Sequence, residues 1–184
     1  MAKHEGKYGK YIIEYDPAME ARNLPSQWRK KRGIESPLKN ILYIDDSFAK
    51  GSHFYWFVWI MPDTPFPFDI GHPPHIHKDG ELLFHIGTDP KNPTDLGGDF
   101  ELYLGEEMER HIINKTCVVW IPPGFIHSPW KPLEVRRPCI FLEVNQGPVH
   151  TEKGYHHLIP KGLQEQFPAE MARINEMFKD EGYD

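Results

Sequence analysis

Four of the eleven histidines of this 184-residue chain fall between His72 and Gly87, in the stretch HPPHIHKDGELLFHIG. Successive side chains of an extended segment alternate between its two faces, so His75 and His77 can present two imidazoles to one point. Glu81 begins the apolar run that follows and can return a carboxylate to the same point across a short turn. Because neutral imidazole is the commonest metal-ligating side chain, this spacing predicts three ligands of one metal ion.

A second segment can complete this site. The stretch IPPGFIHSPW places His127 just beyond a Pro-Pro-Gly turn, at the end of the apolar run CVVWI. A neighbouring antiparallel strand would deliver this imidazole to the cavity that His75 and His77 face. An HxH pair alone is weak evidence, because such pairs arise by chance. The two segments together favour a metal site over the alternative of four unrelated core and turn residues.

The elements that must position these residues are short strands. Gly and Pro are frequent, with 15 and 18 residues, and no long helical pattern separates the apolar runs. This composition and order are typical of a β-sandwich or a closed barrel. Strands are predicted at residues 10–15, 40–45, 54–61, 81–87, 99–105, 116–122 and 138–147. The connection 88–115 is long enough for an extra hairpin.

We expect a single structural domain with three parts. Residues 1–50 form an N-terminal extension that packs on the barrel, residues 51–150 form the barrel, and residues 151–184 form a C-terminal segment. The histidines of the stretch HTEKGYHH, residues 150–157, are expected at the surface, with a lid or a partner contact as the alternative.

Only the C-terminal segment has a helical pattern. Pro168 suits the first turn of a helix, and Met171, Ile174 and Phe178 recur at helical spacing. Gly182 can end the helix. We expect this helix to pack on the outside of the barrel or against a partner subunit.

The two histidine segments resemble the paired motifs of the cupin superfamily. The first motif, a glycine, HxH, a glutamate and a closing glycine, matches Gly71, His75, His77, Glu81 and Gly87. The second motif, PxGxxH, matches Pro122, Gly124 and His127. The resemblance covers roughly residues 54–147. It implies an all-β fold, a cupin-like jelly-roll β-barrel, to which the chain adds an N-terminal extension and a C-terminal helix.

The same resemblance implies that His75, His77, Glu81 and His127 bind one divalent metal ion per chain. Three imidazoles and one carboxylate suit Fe(II) or Mn, with Ni, Co or Zn as alternatives, and a six-coordinate ion would keep about two positions open. The chain departs from the pattern at position 116, where a threonine replaces a glycine, and at position 131, where a lysine replaces an asparagine. Neither departure removes a ligand.

Two further polar residues are candidate catalytic groups. His85 shares a strand face with Glu81 and can look into the barrel, where it would bind substrate or move a proton. The alternative is a histidine whose hydrogen bonds are satisfied by the backbone. Glu143 interrupts the apolar run CIFLEV, so it must face either solvent or a polar cavity.

These features favour a metal-dependent enzyme that acts on a small polar or aromatic molecule. By analogy with other single-domain cupins that have an aromatic-rich cavity, a dioxygenase is the first expectation. The alternatives are a non-redox lyase, isomerase or decarboxylase, and a non-catalytic cupin that binds a small molecule and is stabilised by its metal.

The charge and hydropathy of the chain limit its partners. A net charge of −6 argues against nucleic-acid binding, since phosphate contacts require a basic surface. The one basic run, WRKKRG at Trp28–Gly33, is expected to be a solvated face. The chain has no apolar run of membrane-spanning length and no apolar signal core, so we expect a cytoplasmic protein without a membrane partner. The resemblance implies a homodimer that pairs through edge strands and terminal extensions.

Overall fold

Strands dominate the part of the chain that the computed structural model describes, which is residues 5, 7–14, 38–62, 66 and 68–183. The first five strands are β1 (Leu38–Ile44), β2 (Phe54–Ile60), β3 (His75–Ile76), β4 (Glu81–Ile86) and β5 (Asp95–Leu104). The next five are β6 (Glu109–Lys115), β7 (Cys117–Ile121), β8 (His127–Val135), β9 (Cys139–Asn145) and β10 (Lys153–Gly154). The helices are α1 (Lys161–Gln166) and α2 (Pro168–Met177).

The strands form two antiparallel sheets of five strands each. The first sheet has the order β1-β2-β9-β4-β7, and the second has the order β10-β3-β8-β5-β6. The apolar runs of β2 and β9 lie side by side in the first sheet, with Val58 opposite Phe141. The expected hairpin after residue 88 is present, as β5 and β6.

One hydrophobic core joins the two sheets. Val58 and Leu83 of the first sheet and Phe100, Leu102 and Trp130 of the second are all buried in it. The core confirms the all-β, two-layer architecture that the sequence predicts. The two sheets also carry the motif residues. His75 lies in β3, and Glu81 and His127 are the first residues of β4 and β8.

The strand predicted at Lys10–Tyr15 is wrong. Gly9–Tyr11 forms a single turn of 3₁₀ helix, and the residues that follow it have no regular structure up to residue 14. Tyr11 and Ile12 are exposed there, and no strand of the described residues pairs with this segment. The basic run at Trp28–Gly33 lies outside the described residues. Residues 38–44 of the predicted extension form β1, which pairs with β2.

The C-terminal helix is present and packs on the barrel. Ile174 of α2 is fully buried in a second apolar cluster with Phe68, Ile70 and Ile159. The carboxylate of Glu170 accepts hydrogen bonds from the backbone N–H groups of residues 69 and 70, which ties α2 to the segment that leads into the first motif. None of the helices in the described residues is long and apolar enough to cross a membrane.

Candidate metal centre

The motif residues converge from three strands. His75 of β3 lies directly opposite His127 of β8, and Glu81 opens β4 after a short turn. Gly124 closes the turn before His127 with a φ of +71°, a conformation that favours glycine, and its N–H donates to the carbonyl oxygen of His77 at 2.9 Å. All four candidate ligands are buried, so the site is shielded from bulk water.

Backbone carbonyl groups orient each of the three imidazole rings. A carbonyl oxygen can only accept, so the ring nitrogen that faces it must carry the proton. The Nδ1 atoms donate in this way from His75 to Pro73 at 2.7 Å, from His127 to Phe125 at 3.3 Å, and from His77 to Thr151. This arrangement leaves the Nε2 atom of each ring as the nitrogen that can bind a metal.

The free nitrogens point at one another. The Nε2 atoms of His75 and His77 are 3.1 Å apart. The Glu81 carboxylate spans the other two rings, with one oxygen 3.2 Å from Nε2 of His77 and the other 3.0 Å from Nε2 of His127. Ligand atoms of the three histidines all lie within 4.8 Å of one another.

This convergence fits a cation. Three ring nitrogens and a carboxylate that converge in a buried site require positive charge between them, which is a proton on His77 in the metal-free protein and can be a metal ion in its place. Burial, followed by the neighbouring His127, keeps the pKa of His75 well below its usual value, so His75 is a neutral ligand. Burial raises the pKa of Glu81, but His77 and His127 outweigh this effect and hold it well below its usual range, so Glu81 is ionised. The four residues therefore fit a divalent metal ion.

The strand order and the site together identify the architecture. The HxH, the glutamate and the distant histidine meet at one point between two antiparallel sheets, as the motif pattern implies. The fold is the cupin-like β-barrel that the sequence predicts. The candidate metal ligands lie together, as the motif pattern predicts.

Comparisons with known proteins find solved structures that are similar to this one. No family model and no curated protein matches the chain. The oxalate decarboxylase of Bacillus subtilis, in a structure at pH 4.6, is similar at a TM-score of 0.45 and 14% identity, over 80% of this chain and 37% of that one. The oxalate decarboxylase of Lactobacillus farciminis, in a formate complex, is similar at 0.44 and 16%, over 77% of this chain and 42% of that one. The chain thus spans about two fifths of the length of either match.

Of the two predicted catalytic residues, Glu143 lies beside the cluster of candidate metal ligands, which are His75, His77, Glu81 and His127. Its Oε1 atom is 3.5 Å from Nε2 of His150 and makes no hydrogen bond, although it is buried. The His150 ring in turn packs against the ring of His77, with centroids 5.0 Å apart. Burial and then the charge of Glu81 raise the pKa of Glu143 to about 7. Its carboxyl group can therefore gain or lose a proton near neutral pH.

His85 lies elsewhere in the barrel. Its ring packs among Phe100, Trp130 and Phe141, and its Nε2 atom accepts a hydrogen bond of 3.0 Å from the indole N–H of Trp130. Burial lowers the pKa of His85 to about 4, so the ring is neutral. Among the described residues, no hydrogen bond, ion pair or ring contact links His85 to the metal cluster. The structure thus brings Glu143 to the cluster, whereas His85 is a buried residue of the core.

Several residues near the cluster are not indicated by the cupin motifs. His72 packs on His75 with ring centroids 4.6 Å apart and lies 3.4 Å from the carboxylate of Glu152. The expectation that the histidines of residues 150–157 lie at the surface is wrong for His150, which is mostly buried beside Glu143. The one sequence signal for this segment is its density of histidine and acidic residues.

Metal binding is expected to release about one proton at pH 7. Burial lowers the pKa of His77, but the Glu81 carboxylate more than offsets this effect and raises it to about 9 in the metal-free protein. Below pH 9 the proton must leave before the ring can bind an ion, so metal affinity should rise about tenfold per pH unit. Calorimetric titration with Mn(II) at pH 6, 7 and 8, in two buffers of different ionisation enthalpy, measures both the affinity and the proton count. An affinity that does not change with pH would contradict a protonated His77.

Proposed function

We propose that this cupin is a metal-dependent enzyme that catalyses a non-redox reaction, such as a decarboxylation, a lyase reaction or an isomerisation, on a small polar molecule. The observation that carries the proposal is the buried carboxyl group of Glu143, which has no hydrogen-bond partner on Oε1 and lies beside the cluster. A metal that serves only to stabilise a fold has no need of a proton carrier at its side. Reactions of this class require one.

The ligand set suits Mn(II) or Fe(II), because imidazole and carboxylate are donors that both ions accept. His75, His77, Glu81 and His127 would hold the ion. When bound, it would supply a Lewis acid that polarises a substrate oxygen. We propose one ion per chain.

Glu143 and His150 would hold and move the proton. Burial lowers the pKa of His150, but its hydrogen bond with Glu181 and the nearby Glu143 raise it above its usual value. With the pKa of Glu143 at about 7, the two groups can share one proton near neutral pH. Glu143 would give this proton to the substrate or take it, and His150 would restore the starting state.

His85 is the second candidate for a catalytic role. Its neutral ring already accepts a hydrogen bond from Trp130, while its Nδ1 atom is buried without a hydrogen-bond partner. A substrate that extends into the barrel interior would meet this group as a hydrogen-bonding partner. We propose this positioning role for His85 and assign the proton transfer to Glu143.

The test compares turnover with and without oxygen. The protein, loaded with Mn(II) or Fe(II) under anaerobic conditions, is incubated with small hydroxy acids, keto acids, diketones and hydroxylated aromatics, while NMR follows the substrate and an electrode follows oxygen. We expect turnover that needs no oxygen and is lost in His77→Ala.

Two other outcomes would overturn the proposal. Turnover that consumes oxygen in proportion to substrate would establish a dioxygenase. A panel member that binds at the metal and remains unchanged, with or without oxygen, would indicate a binding module.

A further inference from the structure

The segment that follows the barrel crosses the metal centre. β10 pairs with β3, which places Gly154 opposite His75. One residue before β10, Glu152 is buried. The residue before that, Thr151, accepts the Nδ1 proton of His77 on its carbonyl oxygen and the N–H of Lys78 on its hydroxyl oxygen. The C-terminal segment therefore already orients one of the candidate ligands.

Glu152 points its carboxylate toward the same cluster. Three potential ligand atoms, one each from His72, His75 and Glu152, lie within 4.8 Å of one another. The His72 ring holds the carboxylate, with Nε2 3.4 Å from Oε2. A buried carboxylate is a strong cation ligand.

His75 belongs to this group and also to the cluster of candidate metal ligands. Only one nitrogen of its ring is free to bind a metal. Its Nδ1 atom is committed to the carbonyl oxygen of Pro73, which leaves Nε2 alone for a metal. One lone pair binds one ion, so His72 and Glu152 do not form a second, independent metal site. An ion that binds Glu152 together with His75 must therefore be the ion that His75 shares with the motif residues.

We infer that Glu152 is an additional ligand of the metal ion, contributed by the C-terminal segment and aligned by His72. Two ligands that each lie about 2.1 Å from one ion are at most about 4.2 Å apart. An oxygen of Glu152 lies within 4.8 Å of a ring nitrogen of His75, so this pair needs to close by no more than about 0.6 Å to share an ion. This inference rests on the proposed metal-dependent function, and it assigns a ligand outside the two motifs.

The C-terminal helix holds Glu152 in place. The backbone groups of Glu152 and Glu181 exchange two hydrogen bonds, of 2.9 and 2.7 Å. Between α2 and Glu181, the ring of Phe178 packs on His72, with centroids 4.8 Å apart. Since α2 is anchored through the buried Ile174, binding of the ion and docking of the C-terminal segment stabilise each other.

The test is Mn(II) binding to Glu152→Gln, which keeps the size of the side chain and removes its charge. The matched control is Glu101→Gln, which removes another buried carboxylate. Glu101 pairs with Arg110 and lies on the face of β5 opposite the core residues Phe100 and Leu102. Calorimetry gives the affinity, and electron paramagnetic resonance reports the ligands of bound Mn(II) without any assay of activity.

We expect Glu152→Gln to bind Mn(II) at least about tenfold more weakly and to change its resonance spectrum, while Glu101→Gln changes neither. Equal affinity and an unchanged spectrum in Glu152→Gln would overturn the inference and leave the proposed function intact. A wild-type protein that binds no Mn(II) or Fe(II) would overturn the proposed function itself.

A second measurement covers the case in which Glu152→Gln folds poorly. Metal ions should slow proteolysis within residues 150–183 of the wild-type protein, because the ion holds this segment through Glu152. Equal cleavage rates with and without Mn(II) would contradict the role of Glu152 as a ligand.

Discussion

Replacing His127 with alanine is expected to weaken Mn(II) binding about a hundredfold. Loss of a residue that only supports a metal ligand typically costs about 10- to 100-fold in metal affinity, so loss of a ligand itself should cost at least the upper end of that range, about 2.7 kcal/mol. At a metal concentration of about 100 times the wild-type Kd, Mn(II) should stabilise the wild-type protein by about 2.7 kcal/mol and the variant by about 0.4 kcal/mol. Urea unfolding with and without Mn(II) measures this difference.

His85→Ala is the matched control for this prediction. Both imidazoles are at most 2% exposed, so each substitution leaves a buried cavity of the same size. Of the two rings, only that of His127 contacts Glu81, and only its loss should abolish the stabilisation by metal. Added imidazole should restore part of the binding in His127→Ala, because it can fill the cavity and return the nitrogen donor. Equal stabilisation by metal in the two variants would contradict the assignment of His127 as a ligand.

The four ligands could be predicted from the sequence because their spacing reflects local geometry. His75 and His77 are two residues apart in an extended segment, and Glu81 follows after one turn. His127 is distant in sequence, but the Pro-Pro-Gly turn before it sets the point at which β8 begins. Strand pairing brings His75 opposite His127 and places Glu81 at the start of β4, and period-2 patterns predict such pairing well.

The contributions of the C-terminal segment could not be predicted in this way. Thr151 and Glu152 reach the cluster because α2 docks in a separate apolar cluster some twenty residues further on. No local pattern encodes that path. The same segment also supplies His150, whose ring lies beside the carboxylate of Glu143. Long-range packing decides these contacts, and residue spacing does not report it.

Two strands show the limits of pattern reading in the fold. β8 contains Pro129 and Pro132, residues that usually mark the end of a strand, yet it pairs with β5 along most of its length. The segment at Lys10–Tyr15 shows the opposite error, since its residues alternate as a strand would. An alternating pattern forms a strand only where a neighbour supplies hydrogen-bonding partners, and no described strand lies beside this segment.

Glu143→Gln is expected to lower turnover by a factor of about 10² to 10⁴ while Mn(II) affinity changes little. The amide keeps the shape of the side chain but cannot carry the proton, and removal of a general acid or base typically costs this much. Burial and the charge of Glu81 raise the pKa of Glu143 to about 7 in the metal-free protein, and a bound divalent cation lowers it. In the metal-loaded wild-type protein the rate should therefore change at or below pH 7, and the variant should lose that dependence. Steady-state rates and Mn(II) titrations from pH 5 to 9 test both effects, with Glu101→Gln as the control.

The same substitution should change the stability of the metal-free protein in a pH-dependent direction. The pKa of Glu143 is about 7 in the folded state against 4.5 for an unperturbed group, so the folded state binds its proton more tightly than the unfolded state does. Stability from this group is therefore present below pH 4.5 and is lost as the pH rises through 7, by up to about 3 kcal/mol. Glu143→Gln should escape this loss and be more stable than the wild-type protein at pH 8. Equal loss in both proteins would mean that Glu143 ionises in the folded state without penalty, and its role as a proton carrier at neutral pH would then be contradicted.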